Sequence, residues 1–234
     1  MNLKLSVAKH LLPLIAKPIL EAEFNEQKRP RRFTERFIEY RFALDCINRS
    51  CPRKVLDVGS GTTSFAQLVS HCGCDVSAVD NVTDYWAHGM VNRHYKVIDD
   101  DILQPRKING PFDLITCISV LEHIPDHATA MKNMIGMLRS GGNLVLTIPF
   151  TTGRYIQNVY DLPDAAYRPT NYICQSFCPD NLLSWQGLGV ETVNTEYWRC
   201  WTGKYWPCGK KLTPYMQVPE GQHHQLACFM FEKI

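Results

Sequence analysis

Five short apolar runs, KVLDV (54–58), DVSAVD (75–80), HYKVID (94–99), FDLITCIS (112–119) and NLVLTIPF (143–150), follow one another with helix-sized or polar stretches between them. They are nearly continuous in Val, Ile and Leu instead of alternating with polar residues, the pattern of strands buried on both faces of a parallel sheet. Parallel strands need crossover connections, so the chain is expected to fold as an α/β sheet with helices on both faces. The stretch PDHATAMKNMIGMLRSGG carries the clearest helix: Pro125 suits the first turn, Met131, Met134, Ile135 and Leu138 share a face, and Gly141 is the expected stop.

Upstream, RRFTERFIEYRFALDCIN (31–48) sets Phe33, Phe37, Tyr40, Leu44 and Ile47 on one helical face, with Arg32, Glu35, Arg36 and Glu39 covering the other. Downstream, about thirty residues (151–177) lack periodicity, long for a connection inside a compact domain, and read as a functional insertion. A helix follows at PDNLLSWQG. VETVNTEYW and QLACFMFEK then read as an antiparallel pair at the sheet edge, separated by the aromatic and basic segment RCWTGKYWPCGKKLTPYM. The organisation expected is a helical N-terminal segment over 1–50 and one domain over 51–234, with insertions around 150–180 and 198–223.

Composition narrows the class. Apolar residues at 45% and charged residues at 21% describe a globular chain, and a formal charge of +2 argues against a DNA-binding footprint despite the KRPRR cluster at 28–32. The N-terminal apolar patches are cut by Lys4, Lys9, Pro13, Lys17 and Pro18, so no transmembrane span or cleaved signal is expected. The ten cysteines include no C-x-x-C pair and read as reduced thiols, from which a cytoplasmic location is expected.

VLDVGSGTTSF (55–65) is a strand ending in Gly-x-Gly ahead of a helix, a turn whose backbone N–H groups face an anion or a nucleotide. Ser64 stands where a dinucleotide fingerprint has its third glycine, so that fingerprint is incomplete, and no lysine follows for a phosphate loop. Asp80 closes the second run and Asp101 follows the third. A carboxylate at the first position suits the two hydroxyls of a ribose, and one at the second suits an adenine amino group.

The ordered set LDVGSGTTS, AVD, DDDIL, FDLITCISVLEHI and RSGGNLVLTIPF resembles the class I S-adenosylmethionine-dependent methyltransferases over roughly residues 53–150. The resemblance implies a Rossmann-like, mostly parallel seven-stranded sheet and S-adenosyl-L-methionine as cofactor. It places Asp57, Gly59, Ser60 and Gly61 by the methionine part, Asp80 and Asn81 by the ribose, Asp101 and Ile102 by adenine, and Ser119 by the sulfonium. Where such families often carry a further glycine two residues past the second, this chain has Thr63.

Glu122 and His123, in SVLEHIPDH after the fourth strand, are the candidate catalytic pair, with His123 as a general base for a hydroxyl acceptor. Some related O-methyltransferases carry Glu-x-x-Glu-His as a magnesium site; Ser119 replaces the first glutamate here, and no metal is expected. His127, His223 and His224 have no spacing that requires one. Arg154, Tyr155 and Tyr160, joined by Asp161, Tyr167 and Arg168, are candidates for acceptor binding. Trp198, Trp201, Tyr205 and Trp206 with Lys204, Lys210 and Lys211 suggest a sugar, nucleotide sugar or glycan acceptor. Another small-molecule acceptor, a nicotinamide-dependent oxidoreductase and a cofactor-binding partner subunit without turnover are the alternatives.

Overall fold

The computed structural model describes residue 14, residues 16–18 and residues 33–234 apart from 87, 88, 91, 93 and 168–171. KRPRR, most of the N-terminal segment and Arg168 lie outside the described residues. The chain divides into two compact units, Met1–Thr34 and Glu35–Ile234, and the second holds every element below.

Helix α1 (Arg36–Ser50) is followed by β1 (Lys54–Val58), α2 (Phe65–His71), β2 (Asp75–Asp80), a one-turn α3 (Val82–Tyr85), β3 (Ile98–Asp99) and β4 (Phe112–Ile118). Then come α4 (His127–Gly136), β5 (Leu138–Pro149), α5 (Pro179–Gln186), β6 (Val190–Trp201), β7 (Lys211–Val218) and β8 (Leu226–Lys233). One sheet of eight strands, in the order β3-β2-β1-β4-β5-β8-β6-β7, runs through the unit. The pairs from β3 to β5 are parallel, and β8 pairs antiparallel with both β5 and β6.

The sheet has one strand more than the seven expected. β7 comes from the aromatic and basic segment and pairs with β6, so it forms the edge in place of the β6–β8 pair. KLTPYMQV carries a proline and little apolar continuity, which suits an edge strand with one unpaired side.

Side chains alternate across each strand, so the apolar runs feed two cores. On one face Val55, Leu114 and Val145 meet α1 and α2; on the other Leu56, Ile115 and Leu144 meet α4 and Trp185 of α5. Because β1 leads into α2 and the adjacent β4 toward α4, their following loops part to opposite faces. This is the switch point at which an open α/β sheet leaves a crevice beyond the carboxyl ends of its strands.

Two helices differ from their expected form. α1 buries Ile38, Phe42, Ala43, Cys46 and Ile47, a stripe one residue round from the expected one, while Phe37 is exposed on the surface and stacks on Tyr215 at 5.8 Å. The rotation takes Glu39, assigned above to the solvent face, into the interior. α4 starts after Pro125, with Asp126 as its N-cap accepting from the Thr129 N–H at 3.1 Å, and stops at Gly136. Gly141 lies instead within β5, in the left-handed region at φ 67°.

Candidate functional site

The glycine turn is shaped by what lies above it. Gly59 sits at φ 71°, and a Cβ there would come within 2.3 Å of Val120 in the loop after β4. No other residue combines that backbone angle with that clearance. Its N–H and that of Ser60 both reach the Val79 carbonyl of β2. The hydroxyl run after the glycines closes the turn: the Thr63 hydroxyl donates to the Ser60 carbonyl at 3.0 Å. The Asn92 side-chain amide donates to the carbonyls of Gly61 and Thr63, each at 3.0 Å. Thr63 thus supplies by a side-chain bond the tight turn that a further glycine would allow by freedom.

Beside this turn is a cleft lined by Arg36, Tyr40, Asp57, Gly59, Ser60, Thr63 and Ile118. Asp57 is buried and accepts from the Thr116 hydroxyl at 2.7 Å. Burial pushes its carboxyl up to about 7, against the opposing effect of that bond. Ser60 Oγ is buried with no hydrogen-bond partner among the described residues. Arg36 spans the cleft from α1, donating to the Ile118 carbonyl at 3.1 Å and to Glu39 at 3.2 Å. Glu39 also accepts from the Thr147 hydroxyl at 2.9 Å and from Ser119. Ser119 holds a left-handed backbone at φ 49°, and its hydroxyl is engaged by Glu39.

The acidic strand ends serve different partners. Asp80 accepts from the Gly61 N–H at 2.8 Å and from the Trp86 indole N–H at 3.1 Å, which ties the end of β2 to the glycine turn. Asn81 caps α3 through the Asp84 N–H. Asp101 accepts from the Leu103 N–H at 2.8 Å, and the Ile102 carbonyl accepts from Asn133 at 2.8 Å. Between them, Asp100 takes the N–H groups of Asp101, Arg106, Lys107 and Ile108. Burial alone would raise its pKa, but those four donors hold it below its ordinary value. Asn81 and Asp101 line a second recess with Thr83, Asp99 and Gln104.

Glu122 and His123 lie together in a single 3-10 turn after β4. Glu122 is buried, its Oε2 has no hydrogen-bond partner among the described residues, and burial pushes the carboxyl up to about 8. The His123 Nδ1 is 2.7 Å from the Ile173 carbonyl, and Nε2 is 3.9 Å from Glu122 Oε1. A carbonyl can only accept, so Nδ1 carries the proton and Nε2 the lone pair of the neutral ring. Burial lowers the His123 pKa, against the pull of that carbonyl, and favours this neutral form. The exposed Tyr172 ring meets the imidazole edge to face at 4.5 Å.

The acceptor candidates divide. Tyr155 is half-buried and donates its hydroxyl to Gln175. Tyr160 packs against Trp206 in a small core with Val159, Cys174 and Cys208. Arg154 is exposed. Trp201 and Tyr205 are buried, and Tyr167 packs against both Trp201 and Trp206, so these aromatic faces are used in packing and not held open as a stacking platform. His127 sits among Tyr155, Phe177 and Trp185, His224 stacks on Phe150, and His223 bonds the Gly203 carbonyl. Among the described residues no group of three or more His, Cys, Asp or Glu is placed to hold a metal ion.

Arg36, Tyr40, Glu39 and Gln175 were not singled out by sequence reasoning as site residues. For Arg36 and Glu39 the available signal was a polar face on the helix that precedes β1, which has the same pattern as a solvated surface.

Comparisons with known proteins bear on family and fold. The family profile for a methyltransferase domain matches residues 18–192. A ubiquinone biosynthesis O-methyltransferase of Xylella fastidiosa is 27% identical over 184 residues, 69% of this chain and 72% of its own. One from Coxiella burnetii is 28% identical over 151 residues, 58% of this chain and 62% of its own. Two solved structures share the fold. The Burkholderia thailandensis 1,6-didemethyltoxoflavin N1-methyltransferase has TM-score 0.57 at 14% identity, covering 96% of this chain and 89% of that one. An S-adenosylmethionine-dependent methyltransferase of Clostridium acetobutylicum has TM-score 0.54 at 13% identity, covering 99% of both.

Proposed function

The chain belongs to the class I S-adenosylmethionine-dependent methyltransferase family, and from that premise we propose that it methylates a hydroxyl of a small molecule, with His123 as the base. S-adenosyl-L-methionine, when bound, supplies an electrophilic methyl group. The residues around the glycine turn fit such a ligand: Ser60 Oγ is a polar atom without a hydrogen-bond partner among the described residues, and Arg36 brings a cation to the cleft. Asp57, Gly59, Ser60, Gly61 and Arg36 would hold its methionine part, Asp80 and Asn81 its ribose, and Asp101 with Ile102 its adenine. Ser119, its hydroxyl on Glu39, would border the reacting end through its backbone.

The observation that carries the reading is the fixed tautomer of His123. A ring that donates through Nδ1 to a backbone carbonyl keeps Nε2 free to take a proton from a hydroxyl, and a lowered pKa keeps it unprotonated near neutral pH. Relatives named as ubiquinone biosynthesis O-methyltransferases support a small-molecule hydroxyl acceptor. Two of the rings on which a sugar or glycan preference rested, Trp201 and Tyr205, are buried, which lends that preference less support.

Two measurements test the reading. Calorimetry with S-adenosylhomocysteine is expected to show binding, and a labelled-methyl screen over phenols, catechols and sugars is expected to show transfer to a phenolic hydroxyl. His123→Ala should abolish transfer and leave cofactor affinity within about twofold; an equal loss of both would remove the base role.

A further inference from the structure

Gln175 lies in the insertion after β5, fully buried, and directs its polar atoms at the loop that carries the base. Its side-chain amide donates to the Ile124 carbonyl at 2.7 Å and lies 3.3 Å from that of Glu122 and 3.4 Å from that of Leu121. Its backbone N–H donates to the Glu122 carbonyl at 2.9 Å. Its Oε1 accepts from the Tyr155 hydroxyl. Two residues earlier the same strand of chain presents the Ile173 carbonyl to His123 Nδ1.

A glutamine is the residue type that such a seat requires. Three carbonyls converge on one end, which demands N–H donors, and a hydroxyl donor reaches the other, which demands an acceptor; no hydrophobic or acidic side chain of this size meets both. Leu121 to Ile124 make only one 3-10 turn, too short to hold its own shape by repeated backbone bonds. The loop therefore takes its shape from the insertion. The distance from Ile173 to His123, and with it the choice of ring tautomer, depends on how firmly the two segments are joined.

We propose that Gln175 is a positioning residue for the methyl-transfer site: braced by Tyr155, it clamps the Leu121–Ile124 turn to the insertion so that the Ile173 carbonyl selects the Nδ1–H tautomer of His123. This rests on His123 being the base. It also gives Tyr155 a role as the brace of the clamp, in place of contact with the acceptor. The other groups facing the imidazole are Glu122 on its own turn, Arg36 from α1 and the Tyr172 ring. None of them accepts from Nδ1.

The test needs no acceptor. Protein labelled with ring-15N histidine, with the His123 signal assigned by its loss in His123→Asn, reports the protonation of each ring nitrogen directly. In the wild type the neutral His123 ring is expected to carry its proton on Nδ1 and to titrate below an ordinary histidine. In Gln175→Met, which fills the volume without donors, a mixture of tautomers is expected, with titration shifted further below the ordinary value because the carbonyl that favours the protonated ring is held less firmly, while S-adenosylhomocysteine affinity stays within about twofold.

Tyr155→Phe, which removes one hydroxyl and keeps the fold, should move the tautomer ratio the same way by a smaller amount, and it decides the matter if Gln175→Met does not fold. A wild-type ring protonated on Nε2 would overturn the base assignment itself. A wild-type ring as described, unchanged in both variants, would overturn the clamp and leave the base standing.

Discussion

The loops after β1, β2 and β3 and the long connection after β5 face the same task, holding irregular chain at one edge of a sheet, and they solve it by different means. On the first side many bonds are local and aimed at backbone, as in Thr63 to Ser60, Asn81 to Asp84, and Asp100 to four N–H groups within eight residues, and longer ones such as Asn92 to Gly61 and Gly61 to Asp80 span 31 and 19 residues. On the second they join side chains to segments about fifty residues away, as in Gln175 to Ile124 and Ile173 to His123. A turn closed largely by nearby bonds tolerates little change at its glycines. A connection defined by distant partners can vary widely in sequence while a few buried polar residues keep its position.

The hardest blow to that contrast is aimed at the local side. Gly59→Ala adds a Cβ 2.3 Å from Val120 at a backbone angle that alanine resists. Strain and overpacking each cost about 1–3 kcal/mol. Loss of the S-adenosylhomocysteine heat and a clear fall in Tm are expected. A variant that melts and binds like the wild type would mean that the turn takes its shape from elsewhere.

A second, smaller effect probes the buried pair between the two sides. Glu122, with its carboxyl pushed up to about 8, keeps a proton in the folded state that the unfolded chain releases above about pH 4.3. Between those values the native state binds more protons than the unfolded one, so stability falls as pH rises, and the loss is complete above about pH 8. Glu122→Gln removes the titrating group. Its Tm relative to the wild type should therefore rise steadily from pH 5 to pH 8, and a flat difference across that range would show the carboxylate to be ionised in the fold.

The smallest effect belongs to the insertion surface. Arg154 is exposed, and Arg154→Ala should alter stability by no more than about 0.5 kcal/mol and leave cofactor binding unchanged. Any effect should appear in acceptor KM once an acceptor is in hand. A fall in cofactor affinity would couple the two sides more closely than their separate bonding suggests.

The same contrast explains what the sequence made legible. The apolar runs, the glycine turn and the carboxylates at strand ends are local patterns, and the strands, the crevice and the adjacency of Glu122 and His123 follow from them. Glu39 was unreadable because its neighbours Ser119 and Thr147 lie 80 and 108 residues away, and only the rotation of α1 on the sheet brings them together. β7 was missed because an edge strand carries a weak apolar pattern. Gln175 has no signature at all in a lone sequence: one polar residue in an aperiodic stretch gains its meaning from the three carbonyls that meet it.

β8 follows β6 and β7 in the chain but lies between β5 and β6 in the sheet. Until it is in place, the β6–β7 hairpin is cut off from the parallel strands, and two central edges, rich in apolar side chains, have no partner. Insertion of a strand between two already formed edges is a long-range, late event, slow for its loop-closure cost and open to false pairing while it waits.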